Sequence, residues 1–311
     1  MKVAAVWRAA HQPAARPSAR PPGGRCFPLR AAARALASVT RSEPYTPRRH
    51  CVTIATAMSE WNELQDAYGP ATEIPKLLER LSPDARNKVW GELWQRICHQ
   101  GSVYSASFAA IPSLTNAAAR WRPEDRPMVL ALAAAIFAGD NQSSDFAHMR
   151  ATYANELSSL RALTAETLRT NGIAREDFIY VLQAALAFDG IRPWDLTLDR
   201  LNDGEFEAIC PNCGTPLFVA IGDYGVFTSF EDYALNENVR KGMLYPAQAS
   251  ELTGVGQRLY YSALEGGHPD VAEMLTYLFG TAECAGCGQQ FVLPTSIERE
   301  YAAGKPNTIQ D

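Results

Sequence analysis

Two stretches of the chain carry the same punctuation. "EAICPNCGTPLFVAIGDYGVF" (207–227) places Cys210 and Cys213 three positions apart with a glycine directly after. "AECAGCGQQFVL" (282–293) repeats the pattern with Cys284, Cys287 and Gly288. A Cys-x-x-Cys turn lets two sulfurs reach one ion, and four thiolates in a tetrahedron make a closed structural metal site. The glycine after each pair tolerates the left-handed backbone that such a turn needs, so that backbone N–H groups can point at sulfur. Pro211 pre-sets part of the first bend. The spacing therefore predicts one structural Zn2+ held by Cys210, Cys213, Cys284 and Cys287. The competing readings are a redox dithiol and two buried disulfides. A redox Cys-x-x-Cys opens a helix after a strand; here the first pair runs into strand-like "PLFVAI" and the motif occurs twice, which favours metal. A catalytic zinc keeps a position open for water. Four cysteines close the shell, and no His-x-Glu of the deaminase type precedes the pair.

Around these turns, "LFVAIGDYGVFTSF" reads as strand, tight turn, strand, and "QQFVLP" as a third strand. Three strands pinned by two such turns resemble a zinc ribbon. The departure is the interval of 70 residues between Cys213 and Cys284, which requires an insert. The insert, 246–280, reads as two helices, "PAQASELTGVGQRLYYSALEGG" and "HPDVAEMLTYLFG", broken at Gly266-Gly267. It is similar to the helix pair of an ankyrin unit, in a single copy and without that family's opener. His268 is a tempting further metal residue, but its place before Pro269 assigns it to the turn that starts the second helix.

From Met58 to about Arg200 the signal is helical, with about six helices. "EIPKLLERL" (73–81) puts Ile74, Leu77, Leu78 and Leu81 on one face. The next helix is expected to take Ser82 as N-cap and Pro83 as its first residue, with Gly101 closing it. Further helices open at Ser105 and close at Gly139, Gly172 and Gly190. "IPKLL" at Ile74 echoes "IPSLT" at Ile111, 37 residues on. A helix-turn-helix period of about 40 residues is a solenoid signature, and the stretch 60–140 resembles HEAT-type repeats. "ELWQRICHQGSVYSASFAAIP" is similar to bacterial HEAT-like proteins, immunity-type and interaction proteins among them. That resemblance implies recognition residues at the inter-helix turn, here His99, Gln100 and Tyr104. The structural alternative is that His99 meets the last carbonyls of its helix and Tyr104 packs under the loop. Cys98 beside His99 is badly placed as a nucleophile pair, because adjacent side chains on a helix diverge.

The expected fold is thus mainly α: a short α-solenoid of HEAT-like helix pairs (58–203), then a small three-stranded zinc ribbon (204–298) with an inserted helical hairpin, then a flexible C-terminus (299–311). Charge sets the first 57 residues apart. They hold ten Lys/Arg and one acid, Glu43, leaving 19 basic and 33 acidic residues, a balance of −14, for 58–311. The segment 1–57 is rich in Ala, Arg and Pro and is expected to be disordered. It reads as a targeting peptide, a basic tail, or sequence upstream of a true start at Met58. The last fits best, because Ser59 is a ready N-cap before Glu60, Trp61 and Leu64. No apolar run approaches the roughly 18 residues of a membrane span. Few and clustered thiols suit a reducing compartment, the cytoplasm.

No phosphate-cradling Gly-rich loop, Gly-x-Ser-x-Gly or His-Glu-x-x-His is present. Asp140, Asp189 and Asp195 read as solvated acids at helix ends. The expectation is a non-enzymatic protein-binding scaffold, immunity-like by resemblance, with a partner that is basic given the acidic balance. A nucleic-acid-binding or transcription-associated zinc ribbon is the alternative. Against it, residues 205–245 hold only Arg240 and Lys241 beside six acids. An enzyme would need convergent polar groups in a pocket. Oligomeric state is not encoded in any of these signals.

Overall fold

The computed structural model describes residues 61–139, 145–234, 236 and 238–302. The basic segment 1–57, Met58, Ser59, Asp140 and residues 303–311 lie outside them. A two-residue hairpin, β1 (Gln65–Asp66) with β2 (Gly69–Pro70), precedes the helices. These are α1 (Ile74–Glu79), α2 (Lys88–Ile97), α3 (Ser105–Arg120), α4 (Pro127–Ala138), α5 (Asp145–Thr152), α6 (Ala154–Leu168), α7 (Arg175–Asp189) and the short α8 (Trp194–Thr197), with a 3-10 turn at Leu198–Asn202.

Helix α2 starts later than Ser82 and Pro83 suggest. The Ser82 hydroxyl accepts from the Asp84 N–H (3.2 Å), and Asp84 accepts from the Arg86 N–H (3.1 Å). Side-chain-supported turns therefore occupy this stretch, and Asn87 becomes the cap, accepting from the Val89 N–H at 3.1 Å. The single long helix expected up to Gly172 is divided at Tyr153, which leaves helical dihedrals at φ −101°, ψ 30°. Helix α3 opens, and α4 and α7 end, where the sequence places them, α7 with Gly190 at φ +72°.

The solenoid expectation is overturned. The two Ile-Pro pairs are not equivalent: Pro75 is the second residue of α1, whereas Pro112 lies midway along the 16-residue α3. A repeat unit exposes one face of each helix, but α4 buries eleven of its twelve residues and α7 twelve of its fifteen. A helix that is apolar all round is encased by neighbours; α4 packs along α7, with α3, α6 and α8 around the pair. Phe137 and Phe188 meet edge to face across this centre.

The ribbon expectation is overturned as well. The carboxyl part holds a six-stranded antiparallel sheet in the order β3 (Glu205–Ile209), β4 (Pro216–Gly222), β5 (Gly225–Ser229), β6 (Gly242–Tyr245), β7 (Thr281–Glu283) and β8 (Gln290–Val292). Three of these strands, β3, β6 and β7, have no counterpart in the sequence pattern. The hairpin at Gly222–Gly225 is as expected, with Ala220 opposite Phe227. The central link is β6, which pairs with β5 through Phe227–Met243 and with β7 through Leu244–Ala282. The sheet curls into a half-barrel. At the crease, a β-carbon on Gly242 would lie 2.2 Å from the Glu283 carbonyl oxygen, and the Thr228 hydroxyl reaches over to donate to that oxygen at 2.6 Å. Only glycine lets β5 and β7 approach this closely across β6.

Helices α9 (Gly254–Glu265) and α10 (Pro269–Leu278) stand where the hairpin was expected. They join β6 to β7 and pack inward. Phe279, just after α10, lies against Trp194 with ring centroids 4.9 Å apart, and the His268 ring stacks on Phe178 at 4.1 Å. A last helix, α11 (Leu293–Ala302), crosses β3, its Ser296 hydroxyl donating to the Ile209 carbonyl at 2.6 Å. It also returns to the helices: the Trp194 indole N–H donates to Glu298 (3.0 Å) and Arg192 to the Tyr301 hydroxyl (2.7 Å). Buried side chains from both parts form one continuous core. Among the described residues, no helix is long and apolar enough to cross a membrane.

Candidate metal centre

Cys210 follows β3 and Cys213 precedes β4, so the first pair caps one edge hairpin of the sheet. Cys284 follows β7 and Cys287 precedes β8, capping the hairpin at the other edge. In a flat sheet, five strand spacings would separate β3 from β8 by about 24 Å. Curling brings the two tips together. Cys210 Sγ lies 3.9 Å from Cys287 Sγ, and Cys213 Sγ 3.7 Å from Cys284 Sγ. All four sulfurs fall within 4.8 Å of one another, and none of them is in a disulfide.

The two turns are copies of each other at the level of the backbone. In the first, the Cys210 N–H donates to the Thr215 carbonyl (2.9 Å) and the Gly214 N–H to the Cys210 carbonyl (2.9 Å). In the second, Cys284 N–H donates to Gln289 O (2.9 Å) and Gly288 N–H to Cys284 O (2.8 Å). Gly214 and Gly288 sit at φ +72° and +74°, the left-handed conformation that the sequence pattern anticipates. The Cys287 N–H points at Cys284 Sγ (3.5 Å), as expected for a turn arranged around sulfur.

The sulfurs differ in how readily they ionise. The Thr215 hydroxyl, 3.1 Å from Cys213 Sγ, is the main reason the Cys213 thiol is lowered to about 6. Cys287 is also lowered, first by a backbone hydrogen bond at Gln289 and then by the Asn212 amide, 3.6 Å from its sulfur. Burial pushes Cys284 up to about 12. Cys213 is therefore the sulfur readiest to receive a cation, whose charge would deprotonate the buried Cys284 thiol. Thr215 and Asn212 escape a reading of the sequence alone; their positions just after and inside the first turn are the signal that could reveal them.

The other candidates fall elsewhere. The metal-ligand cluster among the described residues is made of the four cysteines, and His268 is not in it. His268 occupies the N-cap position of α10 before Pro269, and burial lowers its pKa. His99 is half-buried beside the Tyr68 ring (6.0 Å between centroids), with Nδ1 buried and lacking a hydrogen-bond partner. Gln100 is exposed, at φ +50°, and Tyr104 stands at the N-cap of α3. Cys98 is buried, and its thiol is pushed up to about 12 by that burial, which removes it as a nucleophile.

Of the acids expected to be solvated, Asp189 is exposed and Asp195 is buried. Asp189 is clamped between Arg161 (2.8 Å) and Arg258 (2.6 Å). Asp195 is only 2% exposed; its Oδ2 lies 3.4 Å from Arg192 Nε and its Oδ1 has no hydrogen-bond partner. Burial raises its pKa to about 6, against the opposing pull of Arg192. Comparison with protein-family models, with curated proteins and with solved structures returns no match to this chain, so the centre is interpreted from its own geometry.

Proposed function

We propose that the four cysteines hold one structural zinc ion and that the chain is a non-enzymatic binding protein whose partner is another protein. The observation that carries the metal assignment is the sulfur spacing. A tetrahedron with metal–sulfur bonds of about 2.3 Å has its sulfurs about 3.8 Å apart; the closest inter-turn pairs stand at 3.9 and 3.7 Å. Tetrahedral sulfur suits zinc. A shell filled by four cysteines leaves no position for a substrate or water, which supports a structural role. The centre joins two hairpins of the sheet, and its loading would stabilise the curled form.

Support for a protein partner comes from the outer face of β6 and β8. Met243, Tyr245 and Val292 are 56%, 39% and 53% exposed there, and Tyr245 and Val292 flank Thr281 in one cross-strand row. Apolar side chains grouped on an open sheet face are typical of recognition surfaces. The acidic balance of 58–311 favours a basic partner. Lys241 lies over the Phe227 ring at 4.1 Å, so this part of the sheet offers phosphate little beyond Arg240. Free thiols suit a reducing compartment such as the cytoplasm.

Elemental analysis of the purified full chain tests the metal: one zinc per chain is expected, and iron or no metal at all overturns the assignment. Affinity capture with the unmodified chain and with a Met243→Asp, Tyr245→Asp double variant tests the surface. A protein retained by the first and lost by the second is expected. Salt-sensitive DNA retention by the chain from Met58, without such a protein, would overturn the reading in favour of nucleic acid.

A further inference from the structure

The four sulfurs are unequally placed toward solvent. That gives the centre a second chemistry, which rests on its reading as a zinc site. Cys210 and Cys284 are buried, at 1% and 0% exposure, whereas Cys213 is exposed and Cys287 half-buried. Pro211, Asn212 and Gly214 beside Cys213 are exposed too, so its own turn leaves it open to solvent. Cys213 meets a sulfur of the opposite hairpin, Cys284 Sγ, at 3.7 Å. The other accessible sulfur, Cys287, likewise meets a buried one on the opposite turn, Cys210, at 3.9 Å. These pairs are 71 and 77 residues apart along the chain. A bond within one turn would tie a hairpin only to itself. A bond between turns ties β3 and β4 to β7 and β8, as the ion does, and a crosslink over a long loop restricts the unfolded chain far more than one over a short turn.

We propose that Cys213 is a site of oxidation by peroxides, with Cys284 as its resolving partner, and that the resulting disulfide takes over from the ion as the clasp of the half-barrel. The Cys213 thiolate of the loaded centre attacks one peroxide oxygen; an S–O bond forms, the O–O bond breaks and hydroxide leaves. The Cys284 thiolate then attacks the Cys213 sulfur; the S–S bond forms, the S–O bond breaks and a second hydroxide leaves. Two thiolates lose two electrons, the peroxide gains them, and both hydroxides take protons from solvent. Two ligands are consumed, and Cys210 and Cys287 alone do not make a four-coordinate site. A second peroxide joins these two in the same way, beginning at Cys287. An accessible cysteine beside a resolving one is the arrangement in which oxidation stays reversible. Reduction by a thiol and return of zinc restore the centre.

The test uses the full chain in reduced form, with its zinc content measured first, so that absence of zinc counts against the metal reading alone. One sample is treated with hydrogen peroxide, a second is stripped with a chelator under a thiol reductant, and a third is left as purified. Peroxide is expected to release zinc and to give a Cys213–Cys284 crosslink in non-reduced peptide maps, followed by Cys210–Cys287. Amide exchange in β3 and β8 should be at least about ten-fold slower in the oxidised, metal-free chain than in the stripped, reduced one. Dithiothreitol with zinc should return both to the loaded state. If the reduced chain carries no zinc, the crosslink and the exchange comparison on that chain still decide the pairing and the clasp. Crosslinks within a turn, or Cys213 ending as sulfinic or sulfonic acid, overturn the pairing. Equal exchange in the oxidised and stripped chains overturns the clasp, and no reaction with peroxide overturns the site.

Discussion

Gly242 and Glu283 stand so close that a β-carbon on the glycine would come within 2.2 Å of the Glu283 carbonyl oxygen and 2.7 Å of the Thr228 hydroxyl. Both obstacles belong to neighbouring strands, β5 and β7, and the carbonyl is backbone that a rotamer change cannot move. Gly242→Ala is therefore expected to destabilise the chain by about 2–4 kcal/mol. It should also weaken metal retention, because the crease sets the separation of the two cysteine turns. Urea unfolding and a competition assay with a chromogenic chelator measure the two effects. Unchanged stability and unchanged metal retention would show that the crease does not govern the centre.

Cys210→Ser and Cys284→Ser remove one ligand each. Structural metal binding of this kind contributes on the order of 10 kcal/mol, so either variant is expected to lose the ion and to raise amide exchange over 205–292. Exchange in α4 and α7 should change much less. Normal protection of β3, β4, β7 and β8 in a metal-free variant would mean that the sheet holds its curl unaided.

The four thiols should differ in the metal-free reduced protein. Cys213, lowered to about 6, is largely thiolate at neutral pH, whereas Cys284, pushed up to about 12, is protonated. Iodoacetamide at neutral pH is expected to label Cys213 first and Cys284 last, read by peptide mass spectrometry. Thr215→Val removes the main cause of the lowered value and should slow labelling of Cys213 specifically.

Asp199 supplies a pH dependence. Burial is the chief reason its carboxyl is raised to about 7, with Arg200 opposing. The folded chain therefore binds a proton that the unfolded chain has released, and stability falls as pH rises. The penalty is absent below the unfolded value of 3.8 and complete above about 7. Asp199→Asn is expected to stabilise the chain by about 2–4 kcal/mol at pH 8 and hardly at all at pH 4. Equal effects at both ends would show that Asp199 is ionised throughout.

Much of this molecule is legible in its sequence where the signal is local. The cysteine turns read correctly because a glycine at fixed offset and two thiols three apart leave few conformations, and Gly214 and Gly288 adopt the one expected. Helices α4 and α7 end at the glycines that mark them. The sheet is hidden for a physical reason. Strands β6 and β7 have four and three residues, too few for an alternation to register, and their pairing spans the whole of α9 and α10. The solenoid reading fails because a proline has no address: Pro75 and Pro112 look alike in sequence but sit at different depths in their helices. Asp195 resembles an ordinary helix-end acid because nothing local reveals that α4 and α7 close over it.

The half-barrel ends in two edge strands, β3 and β8, each paired on one side only, whose hairpins meet at one cluster of sulfur. Of these, β3 lies under α11, while β8 is three residues long. Unclasping the sulfurs would let both rims swing into solvent with their rows of free amides and carbonyls, an open template for strand addition from other copies. A single ion would then guard solubility as much as shape, and a metal-starved cell would meet this chain first as an aggregate.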